Sequence, residues 1–223
     1  MTIPAIAPYA MPTEPVANRV NWLPDASRAV FLIHDMQAYF LNKFDIAQPP
    51  IVPLVHTIAR LRAQCDAAGV PVFYTAQPTE QPPHDRALLN DFWGPGLTAP
   101  EHRDAQPIIH ALAPKAGDTV LTKWRYSAFQ RSDLRARMAA LGRDQLIICG
   151  VYAHIGCMAT ALEAFMQDVQ SFMVIDGVAD FSRAEHDMAV NYVARRCGAS
   201  LTADAVMDAL GNAAAAAEHA HVG

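Results

Sequence analysis

What most constrains this chain is a series of short, nearly continuous apolar runs separated by stretches of helical period. The runs are Ala29 to His34 (AVFLIH), Val70 to Ala76 (VPVFYTA), Thr119 to Thr122, Gln145 to Cys149, Phe172 to Ile175 and Ala199 to Thr202. Runs without polar alternation read as strands buried on both faces. Between them Leu54, Ile58 and Leu61, then Leu134, Met138 and Leu141, and later Met188 with Tyr192, recur at helical spacing. Gly69 and Gly142 stand where helices should stop, and Ser182 followed by Glu185 is a capping-box pattern opening a helix near Arg183. The alternation predicts an α/β fold, doubly wound, with a mostly parallel six-stranded sheet and helices on both faces. In such a sheet, ligands bind at the carboxyl ends of the strands.

A length of 223 residues fits one domain, and 52% hydrophobic against 17% charged residues leaves ample side chains for a core. Residues 1–28 are Pro-rich without periodicity and are expected to form an arm that lies on a surface or crosses to a partner. Residues 29–210 form the domain, and the alanine-rich stretch 211–223 is expected to fray. A net charge of -5 with scattered Lys and Arg gives no basic footprint for nucleic acid. No apolar run approaches the roughly 20 residues needed to span a bilayer, so no membrane partner is expected and a cytoplasmic location is. Cys65, Cys149, Cys157 and Cys197 form no CxxC pair and read as reduced, buried thiols.

The strand ends carry the candidate chemistry. Asp35 follows the first run with Gln37 and Phe40 close behind, and is suited to general acid or base work, to a helix cap or to an ion pair. His34 reads as a satisfied neighbour. Gln77 ends the second run, where its amide can meet a polar ligand or brace a loop. Lys123 ends the third, at the same edge as Asp35, and a lysine there requires a partner, in a site or in a structural ion pair. Arg125 reads as surface or interface. The long connection containing "HDRALLNDFWGPGLT" is lid-like. Within it Arg86 can meet a carboxylate ligand or sit on a solvated face, and Trp93 can wall a pocket or pin the loop. "GVYAHIGCM" then turns the fourth strand into a helix whose N-terminal amides favour negative charge at the crevice. A cysteine there has a lowered pKa. Successive helical residues point about 100° apart, so Gly156 and Cys157 cannot both face one small pocket.

The motifs "LIHDMQAYF", "YTAQP", "NDFWGPGLT", "KWRYSAF", "GVYAHIGCM" and "DGVADFSRAEH" occur in one order over about residues 3–210. In them the chain resembles the isochorismatase branch of the isochorismatase-like, or cysteine hydrolase, superfamily. By that resemblance the nucleophile of an Asp, Lys and Cys triad lies six residues beyond the glycine closing the fourth strand. Counted from Gly150 this is Gly156, so Asp35 and Lys123 match two members and glycine stands for the thiol. The resemblance also implies a cis peptide at Val151–Tyr152. Its activity would be hydrolysis of the enolpyruvyl ether of isochorismate to 2,3-dihydro-2,3-dihydroxybenzoate and pyruvate, in siderophore synthesis. Asp35 would protonate the vinyl carbon while Lys123 engages substrate oxygens. Gln77 and Arg86 would take carboxylates, Tyr152 and the Gly156 amide would line the water side, and Trp93 and Phe40 would shield the ring. The implied partners are a small anionic substrate, a second copy of the chain and a separate aryl carrier protein, with no cofactor and no metal. Alternatives are the same reaction on 2-amino-2-deoxyisochorismate in phenazine synthesis, a cysteine-dependent amidase built on Cys157, and a non-catalytic scaffold that docks a carrier.

Overall fold

A computed structural model describes residues 3–220, with side chains for 3–211. The apolar runs become β1 (Ala29–His34), β2 (Val72–Ala76), β3 (Thr119–Thr122), β4 (Gln145–Val151), β5 (Gln170–Ala179) and β6 (Gly198–Leu201). They form one parallel sheet in the order β3-β2-β1-β4-β5-β6. The chain winds outward from β1 in one direction and from β4 in the other, so the switch point lies between these two central strands.

Strand alternation divides the interior into two cores. Phe31 and Ile33 point to one face, where α2 (Ile51–Ala67) contributes Leu54, Ile58 and Leu61 and α8 (Ala203–Ala220) contributes Val206 and Leu210. Val30 and Leu32 point to the other. There α5 (Leu134–Ala140) brings Leu134 and Met138, α6 (Met158–Met166) brings Ala161 and Ala164, and α7 (Arg183–Arg196) brings Val190 and Val193. Short helices α1 (Ala38–Leu41), α3 (Pro83–Arg86) and α4 (Leu89–Trp93) lie over the carboxyl end of the sheet.

Several local expectations are corrected. β3 is a sheet edge and not buried on both faces: Leu121 packs into the core while Val120 is 51% exposed. β5 extends well beyond Phe172 to Ile175 because its pairing with β4 continues past an irregularity between Ile148 and Gly150. Leu141 caps α5 and is exposed, and Met188 and Tyr192 face outward from α7. That helix approaches the sheet through Ala189, Val190, Val193 and Ala194, and apolar spacing alone could not tell which of its stripes the sheet would cover. The capping box is formed, with the Ser182 hydroxyl accepting the Glu185 N–H at 3.2 Å and donating to its carboxylate at 2.7 Å.

The arm lies on its own domain. Ile6 is buried, the Tyr9 hydroxyl accepts the Asp180 N–H at 2.8 Å, and the Asn18 amide pairs with the Ser200 backbone at 2.9 and 2.7 Å. The fraying expected beyond residue 210 falls largely outside the described side chains.

Candidate active site

Above the carboxyl ends of β1 and β4 lies a cavity lined by His34, Asp35, Gln77, Arg86, Trp93 and Lys123. Asp35 enters it where β1 ends. Its backbone is in the left-handed region, φ 50°, a conformation costing a non-glycine residue about 1–3 kcal/mol unless the surroundings hold it. Thr75 on β2 supplies that hold, its hydroxyl donating to Asp35 Oδ1 at 2.6 Å and accepting the Asp35 N–H at 3.0 Å.

Lys123, one residue past β3, brings its ammonium 2.8 Å from Asp35 Oδ2, with both side chains buried. The strand-end placement of Asp35 and Lys123 in the sequence therefore corresponds to a direct ion pair. Burial alone would raise the Asp35 pKa, but the Lys123 charge, the electrostatic influence of His34 and the Lys123 and Thr75 hydrogen bonds outweigh it and hold the carboxyl below its ordinary value.

The turn after β4 forms the opposite wall. Gly150 sits at φ 114°, and a Cβ there would lie 2.1 Å from the His34 carbonyl oxygen, so only glycine lets β4 end beside β1. The Val151–Tyr152 peptide is cis, as the family resemblance implies. Residues Ala153–Cys157 make one π-helical turn, a feature found often at functional sites, before α6 begins. The Gly156 N–H reaches the Tyr152 carbonyl at 3.1 Å and the Tyr152 hydroxyl donates to the Phe40 carbonyl at 2.8 Å. Expected to face the reacting ether, both of these donors are engaged within the protein, and Tyr152 meets the cavity with its ring. Nor is the room left by Gly156 vacant: an added Cβ would lie 2.1 Å from His34 Cε1, so the imidazole occupies it.

Cys157 points the other way. It is fully buried in the core between the sheet and α6, and burial, with the Asp35 and Asp180 charges, raises its thiol pKa well above the ordinary value. It is therefore a protonated packing residue, as the 100° argument allowed. Cys65, Cys149 and Cys197 are likewise free and buried.

The connection between β2 and β3 supplies the outer wall. Arg86 is almost wholly buried, donating from Nε to the Gly94 carbonyl at 2.7 Å, and it has no carboxylate partner among the described residues. A buried guanidinium without an anion is poised to receive one. The side chain of Gln77 lines the cavity, while Gln37 braces its backbone at 2.7 and 3.0 Å. Trp93 donates to the Tyr126 hydroxyl at 2.8 Å and meets Phe181 edge-on, and Phe181 in turn packs against Tyr152. Phe40, buried at the base, completes the aromatic wall.

Sequence reading missed several contributors, among them Arg125, Thr75, Phe181 and Ile3. Arg125, placed at the surface, lines the cavity and anchors the lid by donating to the Asp85 carbonyl at 2.8 Å. Thr75 lies within a strand, Phe181 opens the turn after β5, and Ile3 comes from the arm; only Thr75, one residue before a strand end, carried a positional signal. Among the described residues the cavity is thus lined by three cationic side chains, Arg86, Lys123 and Arg125, against the single carboxylate of Asp35.

The family model for the isochorismatase domain matches residues 29–205. An isochorismatase of Bacillus subtilis is 54% identical over 96% of this chain and 69% of its own length. Enterobactin synthase component B of Escherichia coli is 52% identical over 89% of the chain and 70% of its own. The phenazine biosynthesis protein PhzD of Pseudomonas fluorescens is 50% identical, over 92% and 98% respectively. A crystal structure of a cysteine hydrolase from Pseudomonas syringae superposes with a TM-score of 0.78 at 22% identity, covering 87% of this chain and 97% of that one, a likeness of fold.

Proposed function

The chain belongs to the isochorismatase family, and we propose that it hydrolyses the enolpyruvyl ether of isochorismate to 2,3-dihydro-2,3-dihydroxybenzoate and pyruvate, for siderophore synthesis. The observation that carries this reading is the charge of the cavity: three cations face one carboxylate, with no thiol at the position of Gly156. A substrate with two carboxylates and no acyl group to attack suits that arrangement.

Substrate closes the cavity and its carboxylates are taken by Arg86 and Gln77. In the dry site the proton shared across the 2.8 Å Lys123–Asp35 hydrogen bond passes to Asp35, because low dielectric favours the neutral pair. Asp35 then protonates the terminal methylene carbon. Water adds to the resulting oxocarbenium carbon, and the hemiketal collapses to pyruvate and the diol. Trp93, Phe40 and the ring of Tyr152 shield the substrate ring throughout. The reading includes a cytoplasmic homodimer and a separate aryl carrier protein for the downstream product, with exposed Leu88, Phe92 and Met166 as apolar surface that a partner would cover.

A second reading is favoured by the 50% identity to a phenazine biosynthesis protein matched over 98% of its length: the same hydrolysis of 2-amino-2-deoxyisochorismate. Purified protein offered isochorismate, the 2-amino analogue and nicotinamide in parallel separates the readings. Pyruvate from isochorismate with the higher kcat/KM supports the first, preference for the amino analogue the second, and ammonia from nicotinamide without pyruvate overturns both.

A further inference from the structure

His34 is a buried group at the cavity whose polar atoms the scheme above does not use. Its Nδ1 lies 2.9 Å from the Val151 carbonyl, which can only accept, so Nδ1 carries the proton and Nε2 holds a lone pair. Nε2 is buried and without a hydrogen-bond partner. An orphaned buried acceptor is costly and calls for an explanation in the site's chemistry. The ring lies against Gly156, in the space where the family's thiol would project, and it lines the same cavity as Asp35, whose Oδ2 is 3.7 Å from Nδ1.

We infer that His34 Nε2 binds and deprotonates the water that adds to the oxocarbenium carbon, so that an imidazole stands in this site where the amidase relatives present a nucleophile. The inference rests on the vinyl-ether reading. Its steps balance. Asp35 gives its proton to the methylene carbon, making a methyl group and a carboxylate. The water oxygen bonds to the oxocarbenium carbon as one of its protons passes to Nε2. The imidazolium then returns that proton to the ether oxygen as the carbon–oxygen bond breaks, and the hemiketal hydroxyl proton restores Asp35 as the pyruvate carbonyl forms.

Burial and the nearby Lys123 ammonium push the His34 pKa down to about 4. A base that weak is sufficient, because water bonded to an oxocarbenium carbon is a strong acid, and it keeps Nε2 unprotonated at neutral pH. The Asp35 carboxylate and the Tyr126 backbone favour the charged ring once it forms.

The test runs wild type, His34→Asn, Gly156→Ala and Asp35→Asn in heavy water with isochorismate, following pyruvate and the deuterium content of recovered substrate. The asparagine amide keeps a donor for the Val151 carbonyl but removes Nε2. Gly156→Ala keeps every polar group and displaces the ring. Both variants are expected to release pyruvate about 10²–10⁴-fold more slowly and to wash deuterium into the substrate methylene, because the oxocarbenium ion now returns its proton faster than water is added. Asp35→Asn is slow without exchange. Turnover of His34→Asn within a few-fold of wild type, or slow turnover with no deuterium in recovered substrate, overturns the inference while leaving the reaction assigned. Absence of pyruvate from wild type itself overturns the vinyl-ether reading.

Discussion

The two walls of the cavity are made differently. On the sheet side Asp35, Lys123, His34 and Tyr152 are buried, and the Asp35–Lys123 pair is fixed by Thr75 and by a direct ion pair. On the side built from the β2–β3 connection and the first residues after β3, Trp93 is half-buried, Tyr126 is exposed, and Phe92 and Leu88 face solvent at 60% and 74%. The difference teaches a division of labour. Groups that must meet the reacting atoms within a fraction of an ångström stand on the rigid sheet. Groups that admit and hold the substrate stand on the connections that cover the sheet edge, with Arg86 before β3 and Arg125 just after it lining the cavity.

If that division is right, the largest effect on chemistry comes from the sheet wall. Asp35→Asn keeps the shape and removes the acid, so kcat should fall about 10²–10⁴-fold in protein that still folds, with a loss of thermal stability because Lys123 is left buried without its partner. Near-normal turnover by a folded variant would remove Asp35 from the mechanism.

Lys123→Met tests the same wall through stability. Removing one partner of a buried pair costs about 3–5 kcal/mol, measurable by denaturant unfolding. The sign of the acid limb should reverse as well. In wild type the lowered Asp35 pKa contributes stability that is present above the unfolded carboxylate value, near about 3.9, and is lost as pH falls through the folded value. In the variant burial, the largest contribution, is opposed only by His34 and the Thr75 hydrogen bond, so the folded pKa should rise and stability decline as pH rises from about 4 through that raised value. Parallel pH profiles for the two proteins would show that Lys123 is not what keeps Asp35 ionised.

On the lid wall the expected losses are in binding. Arg86→Ala should raise KM about 30-fold or more while changing kcat less, since a buried charge-assisted contact to an anion contributes about 2 kcal/mol or more, and 1.4 kcal/mol is tenfold. Trp93→Ala, which loses an edge contact to Phe181 and one hydrogen bond to Tyr126, should raise KM about tenfold at most, because aromatic pairs contribute roughly 0.5–1.5 kcal/mol. A kcat loss in either variant exceeding its KM change would place chemistry on the lid and break the comparison.

The two walls also differ in how far the sequence disclosed them. Asp35 and Lys123 could be placed because continuous apolar runs announce buried parallel strands, and parallel strands deliver whatever follows them to one edge. The same logic located Gln77. It could not show that Arg125 turns inward: an arginine in a connection has no periodicity to reveal its direction, and here the Asp85 carbonyl sets it. His34 was hidden for another reason. As the last residue of an apolar strand it reads as core, and its unpaired Nε2 exists only because Gly156, far along the chain, leaves room for the ring. Met188 and Tyr192 failed in the opposite way, since their helical spacing is real but the sheet covers the alanine and valine stripe beside them.

The smallest expected effect lies just behind the sheet wall, at the residue whose position made it look most reactive. A thiol at a helix N-terminus is activated when amide dipoles and nearby cations stabilise the thiolate. At Cys157 burial comes first and raises the pKa, and the Asp35 and Asp180 charges raise it further against a lesser opposing contribution from Lys123. Its side chain belongs to the buried core that includes Ala153, Ala161 and Val178 and does not line the cavity. Cys157→Ala should therefore leave kcat and KM within a few-fold of wild type, and native protein should resist alkylation at this thiol until it is unfolded. Rapid labelling of Cys157 with loss of pyruvate release would mean that the turn presents its thiol to the cavity after all, and would return the chemistry from Asp35 to the helix terminus.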